Sequence, residues 1–423
     1  MNTGNEKKIK GKFFLIGILS GAAITAILAL VLGIGIFIYQ ENTYNAALTA
    51  YKTAESVDTA DNQLMDKETV DKAEMLYTDI LQVFYFEEDI DTELMRDNIY
   101  KAIVDSLGDP YAAYYTAEEL DEMLTDSEGT YYGIGSYVSM DSETGYAKLS
   151  GIFKNSPAEE AGLRDGDLII EADGENLAGL TLDEVTAKIK GPEGTTVELT
   201  VYREGEESYL YFTVERRKVE NQTVNHEMKD NGIGYIQITE FDDVTLDQFK
   251  NAYSDLNTQG MKAMVLDLRS NPGGNLDTVL DIAREMLPEG VITYTLDKSG
   301  NREDYMCEGA SPITIPVVIL VNGYSASASE LLTGAMHDYG LATVIGTNTY
   351  GKGIVQSIYP LTDGSGIKLT TSRYYTPNGV CIHETGIAPD IEVEFDSEAY
   401  YAEESVDNQL EYAINYLTES IGN

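Results

Sequence analysis

Ser325, Ser327 and Ser329 stand within five residues of one another in V-N-G-Y-S-A-S-A-S-E-L-L-T-G, Val321 to Gly334. A serine hydroxyl becomes a useful nucleophile only when a base takes its proton, and nothing in this stretch is a strong base at neutral pH. The apolar run V-V-I-L-V before it reads as a buried strand, and S-A-S-E-L-L-T-G-A-M-H-D-Y reads as a helix. The serines therefore fall at a strand-to-helix turn, where unpaired N–H groups at the helix start can face a developing oxyanion. That arrangement favours attack on a carbonyl carbon.

Two places offer a base. His337 and Asp338 invite comparison with a Ser-His-Asp triad, but His337 lies ten residues beyond Ser327 on the same expected helix, about 15 Å along its axis at ~1.5 Å per residue. His226 and His383 carry no local signature. The second place is Y-G-K-G-I-V-Q, Tyr350 to Gln356, where Lys352 stands between two glycines next to a strand-like run. A solvated lysine, pKa about 10.4, is a poor base at pH 7, and burial must lower it by several units. Flanking glycines permit the close backbone packing that would bury the amine. A lysine in a turn is more often a surface residue, so Lys352 on its own does not settle the choice.

These residues need elements to position them, and the chain begins with an unusual one. Phe13 to Tyr39 is an uncharged apolar run, long enough as a helix to exceed a ~30 Å hydrocarbon core. Lys7, Lys8, Lys10 and Lys12 precede it, so the expectation is a cytoplasmic tail at 1–12, an uncleaved transmembrane helix at 13–39, and the remainder outside the membrane. The formal net charge of −44 opposes contact with phosphate backbones, and no nucleic-acid partner is expected. Two cysteines, Cys307 and Cys381, exclude a disulfide scaffold without specifying a bridge, and three scattered histidines give no metal-ligand spacing. Neither a metal nor a cofactor is expected.

Beyond the apolar run, residues 40–128 are rich in helix formers with apolar positions at helical spacing, as at Met75, Leu76, Ile80, Val83 and Phe84. They read as a helical stalk and platform, and a homodimer through that platform is compatible with the pattern. Residues 129–219 change to short β-like runs with two short helical pieces, S-P-A-E-E-A-G-L and T-L-D-E-V-T-A-K-I-K-G. From 220 to 423 strand-like and helical runs alternate, which argues an α/β layer structure. The fold expected is multidomain α/β.

Two resemblances sharpen this. S-P-A-E-E-A-G-L-R-D-G-D-L-I-I-E-A-D-G-E-N-L, preceded by Y-Y-G-I-G, resembles the PDZ domain of bacterial proteases. The likeness implies that Tyr132, Gly133, Ile134 and Gly135 form a carboxylate-binding loop and that a peptide adds as a strand to the sheet edge. The serine-rich turn with its downstream G-K-G, together with V-L-D-L-R-S-N-P-G-G-N-L-D and L-T-T-S-R-Y-Y-T-P-N-G-V-C-I-H-E-T-G-I-A-P-D-I-E-V, resembles the C-terminal processing peptidase, or tail-specific protease, family. That resemblance implies a crotonase-like peptidase core, Ser327 as nucleophile and Lys352, 25 residues later, as base. It also implies that Gln356 positions the lysine, and that the backbone amides of Gly273, Gly274 and Ala328 form an oxyanion hole. Asp338 matches an aspartate near the site, with structural support its expected part. His337, where the family commonly has glutamine, and V-C-I-H-E-T-G-I depart from the pattern without touching the dyad.

The reading is a membrane-anchored, extracytoplasmic serine endopeptidase that cleaves proteins with exposed C-termini near their captured tails. Its rivals are a catalytically silent PDZ scaffold that only binds tails, and a Ser-His peptidase using His337.

Overall fold

The computed structural model describes residues 66–402 and 405–422. The expected tail at 1–12, the transmembrane helix at 13–39 and the first part of the stalk lie outside the described residues. Among the described residues no helix is long and apolar enough to cross a membrane. The chain divides after Asp91.

Of the first unit, residues 66–91 are described. Helix α1 (Lys67–Val83) starts at Asp66, whose side chain accepts the Thr69 N–H at 2.7 Å, a standard N-cap. None of its residues is buried, and Met75, Leu76, Ile80 and Val83 are exposed.

The second unit opens with α2 (Thr92–Asp105), strand β1 (Ala113–Tyr115) and α3 (Ala117–Ser127). Helical spacing alone anticipates no strand here. The two tyrosines of β1 are good β-formers, and the partner that makes them a strand lies some 250 residues downstream.

Strands β2 (Thr130–Gly133), β3 (Ser136–Met140), β4 (Ala147–Ile152), β5 (Leu168–Ala172), β6 (Glu175–Asn176), β7 (Thr196–Tyr202), β8 (Leu210–Glu215) and β9 (Arg217–Glu220) form the β-rich module, with helices α4 (Pro157–Ala161) after β4 and α5 (Leu182–Ile189) before β7. One antiparallel sheet runs β3-β4-β5-β7-β8 with β6 on β5, while β2 pairs only with β9. Alternate residues Val197, Leu199 and Val201 of β7 face inward onto Leu149, Ile169, Val185 and Ile189, the period-two pattern of a sheet with one covered face. This leaves β3 as a free edge beside α5.

The α/β core follows as β10 (Val224–Lys229), β11 (Ile233–Ile238), α6 (Thr245–Thr258), β12 (Ala263–Asp267), α7 (Leu276–Arg284), β13 (Gly290–Asp297), β14 (Arg302–Cys307), β15 (Val317–Val321), α8 (Ala328–Asp338), β16 (Ala342–Gly346), β17 (Ile354–Pro360), β18 (Gly366–Tyr375), β19 (Ile391–Glu392), α9 (Ser397–Tyr400) and α10 (Asn408–Gly422). Its main sheet has the order β10-β11-β12-β15-β16-β19, parallel from β11 onward. Both faces are covered, which is why Ala263–Leu266 of β12 and the whole of β15 read as unbroken apolar runs. Met264, Leu266, Val317 and Ile319 pack on α6, α7 and α8, while Ala263, Val265, Val318 and Leu320 pack on Ala413 and Leu417 of α10. Arg269 fastens α10 in place: it forks onto both oxygens of Asp407, at 2.9 and 2.7 Å, and onto the buried Asp267. A second, antiparallel sheet, β1-β18-β13-β14 with β17 on β18, carries the residues after the G-K-G. Two sheets thus bring different parts of the site together.

Candidate active site

Strand β15 ends at Val321 and α8 begins at Ala328, so the three serines occupy the turn that sequence pattern places them in. Two of the hydroxyls are committed. Ser325 donates to the Leu268 carbonyl at 2.8 Å and accepts the Asn322 N–H at 2.9 Å, and buried Ser329 donates to the Asn271 carbonyl at 3.0 Å. Ser327 lines a cleft of about 830 Å³ with Gly274, Ala328, Gln356, Lys368 and Tyr374.

Ser327 is held at φ 55°, ψ −113°, a conformation that costs a non-glycine residue on the order of 1–3 kcal/mol and persists only where its surroundings hold it. Three contacts do so. The Tyr374 hydroxyl, on a fully buried ring whose pKa burial pushes well above that of ordinary tyrosine, donates to the Ser327 carbonyl at 2.9 Å. The Ser327 N–H donates to Glu330 at 2.9 Å. Gly273 lies so close that a Cβ there would come within 2.8 Å of the Ser327 Cβ and 3.0 Å of the Ala328 nitrogen, which excludes any larger residue.

Glu330 is the residue that sequence reasoning missed. It is fully buried, and its carboxylate accepts four hydrogen bonds: from Ser327 N–H, from Thr349 Oγ1 at 2.5 Å, from Gly351 N–H at 2.7 Å and from Lys352 N–H at 2.8 Å. One side chain joins the serine turn to the G-K-G loop. The available signal was S-x-x-E, Ser327 to Glu330, the spacing of a capping box in which the acid reaches back to the N-cap amide.

The glycines beside Lys352 have a visible reason. The turn at 382–386 crosses them, so that a Cβ on Gly353 would meet the His383 nitrogen at 2.5 Å and one on Gly351 would meet the Gly386 nitrogen at 3.0 Å. Lys352 is half-buried. Burial, then the positive charge of Lys368, hold its pKa below that of a free lysine, against the opposing pull of Asp109 and Glu330. Its amine lies 4.6 Å from the centroid of the Tyr111 ring. No hydrogen bond joins it to the Ser327 hydroxyl, and Gln356 donates to Thr370 Oγ1 at 3.4 Å.

Of the amides expected to form the oxyanion hole, Ala328 is the first of the helix and Gly274 lines the cleft, whereas the Gly273 N–H donates to Asn271 Oδ1 at 2.8 Å. Asp338 lies at the far end of α8 and accepts the Asn378 N–H at 2.8 Å, and His337 bonds Asp390 at 3.1 Å. His226 pairs with Asp255 on the surface. Both cysteines are free thiols. Among the described residues no cluster could hold a metal ion.

In the β-rich module a groove of about 190 Å³ runs between β3 and α5, lined by Gly133, Ile134, Val138 and Ile189 among others. Tyr132 is exposed and does not line it, while Gly135 packs against Ser156. Tyr131, unassigned from sequence, does line it. Its ring lies under Lys190 at 5.3 Å, and its hydroxyl faces the amides of Ser136 and Gly135. Burial pushes this phenol up to about 12, with those two amides pulling the other way.

The sequence profile of Peptidase family S41 matches residues 232–393 and that of the PDZ domain residues 150–203. A carboxyl-terminal-processing protease of Synechocystis is 36% identical over 306 residues, which cover 71% of this chain and 72% of the relative. The chain belongs to peptidase family S41. The carboxy-terminal processing protease CtpA of Bacillus subtilis is 34% identical to this peptidase over 325 residues, covering 77% of the chain and 69% of the relative. A solved structure from Bacteroides fragilis assigned to the S41 proteases shares the fold at a TM-score of 0.50 and 21% identity, covering 76% of this chain and 90% of that one. The peptidase is of the serine type and carries a PDZ domain, so the reading as a catalytically silent scaffold falls away.

Proposed function

We propose that this peptidase is anchored to a membrane by its N-terminal apolar run, faces outside, and captures the C-terminal tail of a protein substrate in the PDZ groove for cleavage by a Ser327-Lys352 dyad. The observation that carries the dyad is the Glu330 carboxylate, which fixes the backbone of Ser327 and of Lys352 through one oxygen. Ser327 Oγ attacks the scissile carbonyl carbon as its proton passes to neutral Lys352 Nζ. The resulting oxyanion faces the amides of Ala328 and Gly274. Collapse expels the amine, which takes the proton back from the Lys352 ammonium and leaves an acyl-serine ester. Water then attacks that ester with Lys352 again as base, releasing the acid and restoring the serine. Gln356 positions the lysine once its amine turns toward Ser327.

The test is peptide cleavage by Ser327→Ala, Lys352→Ala and His337→Gln variants, with mass spectrometry of quenched reactions to look for an acylated Ser327. Inactivity of the first two with activity in the third supports the dyad. Full activity of Lys352→Ala would remove it.

A further inference from the structure

The turn L-G-D-P-Y, Leu107 to Tyr111, has no part in the chemistry above, yet the catalytic lysine points at it. Tyr111 is set by the Asx turn of Asp109, whose Oδ1 accepts the Tyr111 N–H at 2.9 Å, and by β1, which pairs with Gly366–Lys368 of β18. The sheet that carries Gln356 and Lys368 therefore also fixes Tyr111. Its hydroxyl faces that of Tyr350, and Tyr350 is tied by its N–H to the Ser325 carbonyl at 3.0 Å. The ring presents one face to Lys352, whose amine lies 4.6 Å from its centroid.

An aromatic face attracts an ammonium and has no comparable hold on a neutral amine. The other charged groups around Lys352 are Lys368 on β18, Asp109 in the turn and Glu330 on α8, with Arg373 opposite Ile354 on β18 and His383 and Glu384 in the turn that crosses the flanking glycines. The Glu330 oxygens are already engaged by Ser327, Thr349, Gly351 and the Lys352 N–H. Lys352 makes no ion pair within 4 Å among the described residues, so the Tyr111 face is its near partner.

We propose that Tyr111 is a docking platform for protonated Lys352, holding the base away from the Ser327 cleft until it loses its proton and thereby setting the pH at which the peptidase becomes active. Tyr111 is a positioning residue in this scheme. The inference rests on the dyad reading.

The experiment is the pH profile of kcat/KM for cleavage of a tail peptide by the wild-type chain and by Tyr111→Leu and Tyr111→Phe. The acid limb reports the free enzyme's base. Leucine keeps the apolar burial and removes the aromatic face, so the limb should move to lower pH by about half a unit or more. Phenylalanine keeps the face and should leave the limb within about 0.2 units of wild type, although it loses the hydroxyl that faces Tyr350. An unmoved or raised limb in the leucine variant, or equal shifts in both, would overturn the proposal. Should the leucine variant not fold, Tyr111→Trp decides the matter, because a stronger face must raise the limb and an unmoved one overturns the proposal. The dyad fails separately, through an active Lys352→Ala. If that variant is dead and the leucine limb does not move, only the docking role is lost.

Discussion

The amide nitrogens of Ser327 and Lys352 donate to the same atom, Oε2 of Glu330, at 2.9 and 2.8 Å. Residues from two separate loops are therefore indexed to one buried carboxylate, while the side chains that would react remain apart. On the proposed dyad, this backbone alignment would leave only the lysine side chain and its immediate surroundings to move for activity.

Removing that carboxylate should misplace both loops. Hydrogen bonds to a charged group are worth roughly 1.5–3 kcal/mol each, and leaving buried donors unpaired adds to the loss. Glu330→Gln presents an amide N–H₂ to at least one donor, and kcat should fall by about tenfold to a thousandfold. Steady-state kinetics with circular dichroism melts checks this. Wild-type kcat in a folded glutamine variant would show that the shared oxygen does not matter to catalysis.

The dyad makes a prediction about additivity. Ser327→Ala and Lys352→Ala should each abolish cleavage, and the double variant should lose little beyond either one, because members of a catalytic unit do not contribute independently. His337→Gln should keep most of the activity, since His337 bonds Asp390 at the far end of α8. Single-turnover rates on one peptide give the comparison.

Lys368 supplies the second influence, after burial, that holds Lys352 below the ordinary lysine range. A positive neighbour disfavours a second positive charge. Lys368→Gln should therefore raise the pKa of Lys352 and move the acid limb of kcat/KM to higher pH, opposite to the shift from Tyr111→Leu. A limb that stays in place in the glutamine variant would assign the titration to another group.

The cleft also holds a carboxyl that ought to report on stability. Burial, then the neighbouring Glu240, push Asp242 up to about 6. Its folded pKa lies above its unfolded value, so its contribution is fully present below about pH 4 and is lost as the pH rises through about 6. Asp242→Asn cannot ionise. It should stabilise the protein at pH 8 by roughly 1–2 kcal/mol, solvent in the cleft screening part of the penalty, and the gain should vanish toward pH 4. Urea unfolding at several pH values measures it.

These relationships differ in how far sequence alone reveals them. The serine turn was legible because an apolar strand followed by an apolar-periodic helix is a local pattern, and Ala263–Leu266 of β12 and the whole of β15 were legible because two covered faces leave no polar alternation. Strand β1 was not, since Ala113–Tyr115 becomes a strand only by pairing with Gly366–Lys368. The resemblance that names Gly273 as an oxyanion donor says nothing of Asn271, whose side chain takes that N–H. The docking of Lys352 on Tyr111 joins residues separated by most of the chain, and no spacing rule encodes it. Glu330 lies between these cases: its capping-box spacing is visible, but its bonds to Thr349, Gly351 and Lys352 are not.

Tail capture can be tested at the same level of detail. The amides of Gly135 and Ser136 face the Tyr131 hydroxyl, and a tail carboxylate seated in the loop would compete with that phenol for them. Free-acid peptides with apolar ends should bind about tenfold or more tightly than their amidated forms, because charge-assisted bonds of roughly 1.5–3 kcal/mol are lost on amidation. Tyr131→Phe leaves the ring under Lys190 and removes the competing oxygen, so it should tighten binding of the free acid and leave the amide unchanged. The measurement is calorimetric titration of the Ser327→Ala chain, which retains the groove and cannot cleave the probe. Equal affinity for acid and amide would refute carboxylate capture. A Tyr131→Phe variant that binds both forms as wild type does would show instead that the phenol does not compete for those amides.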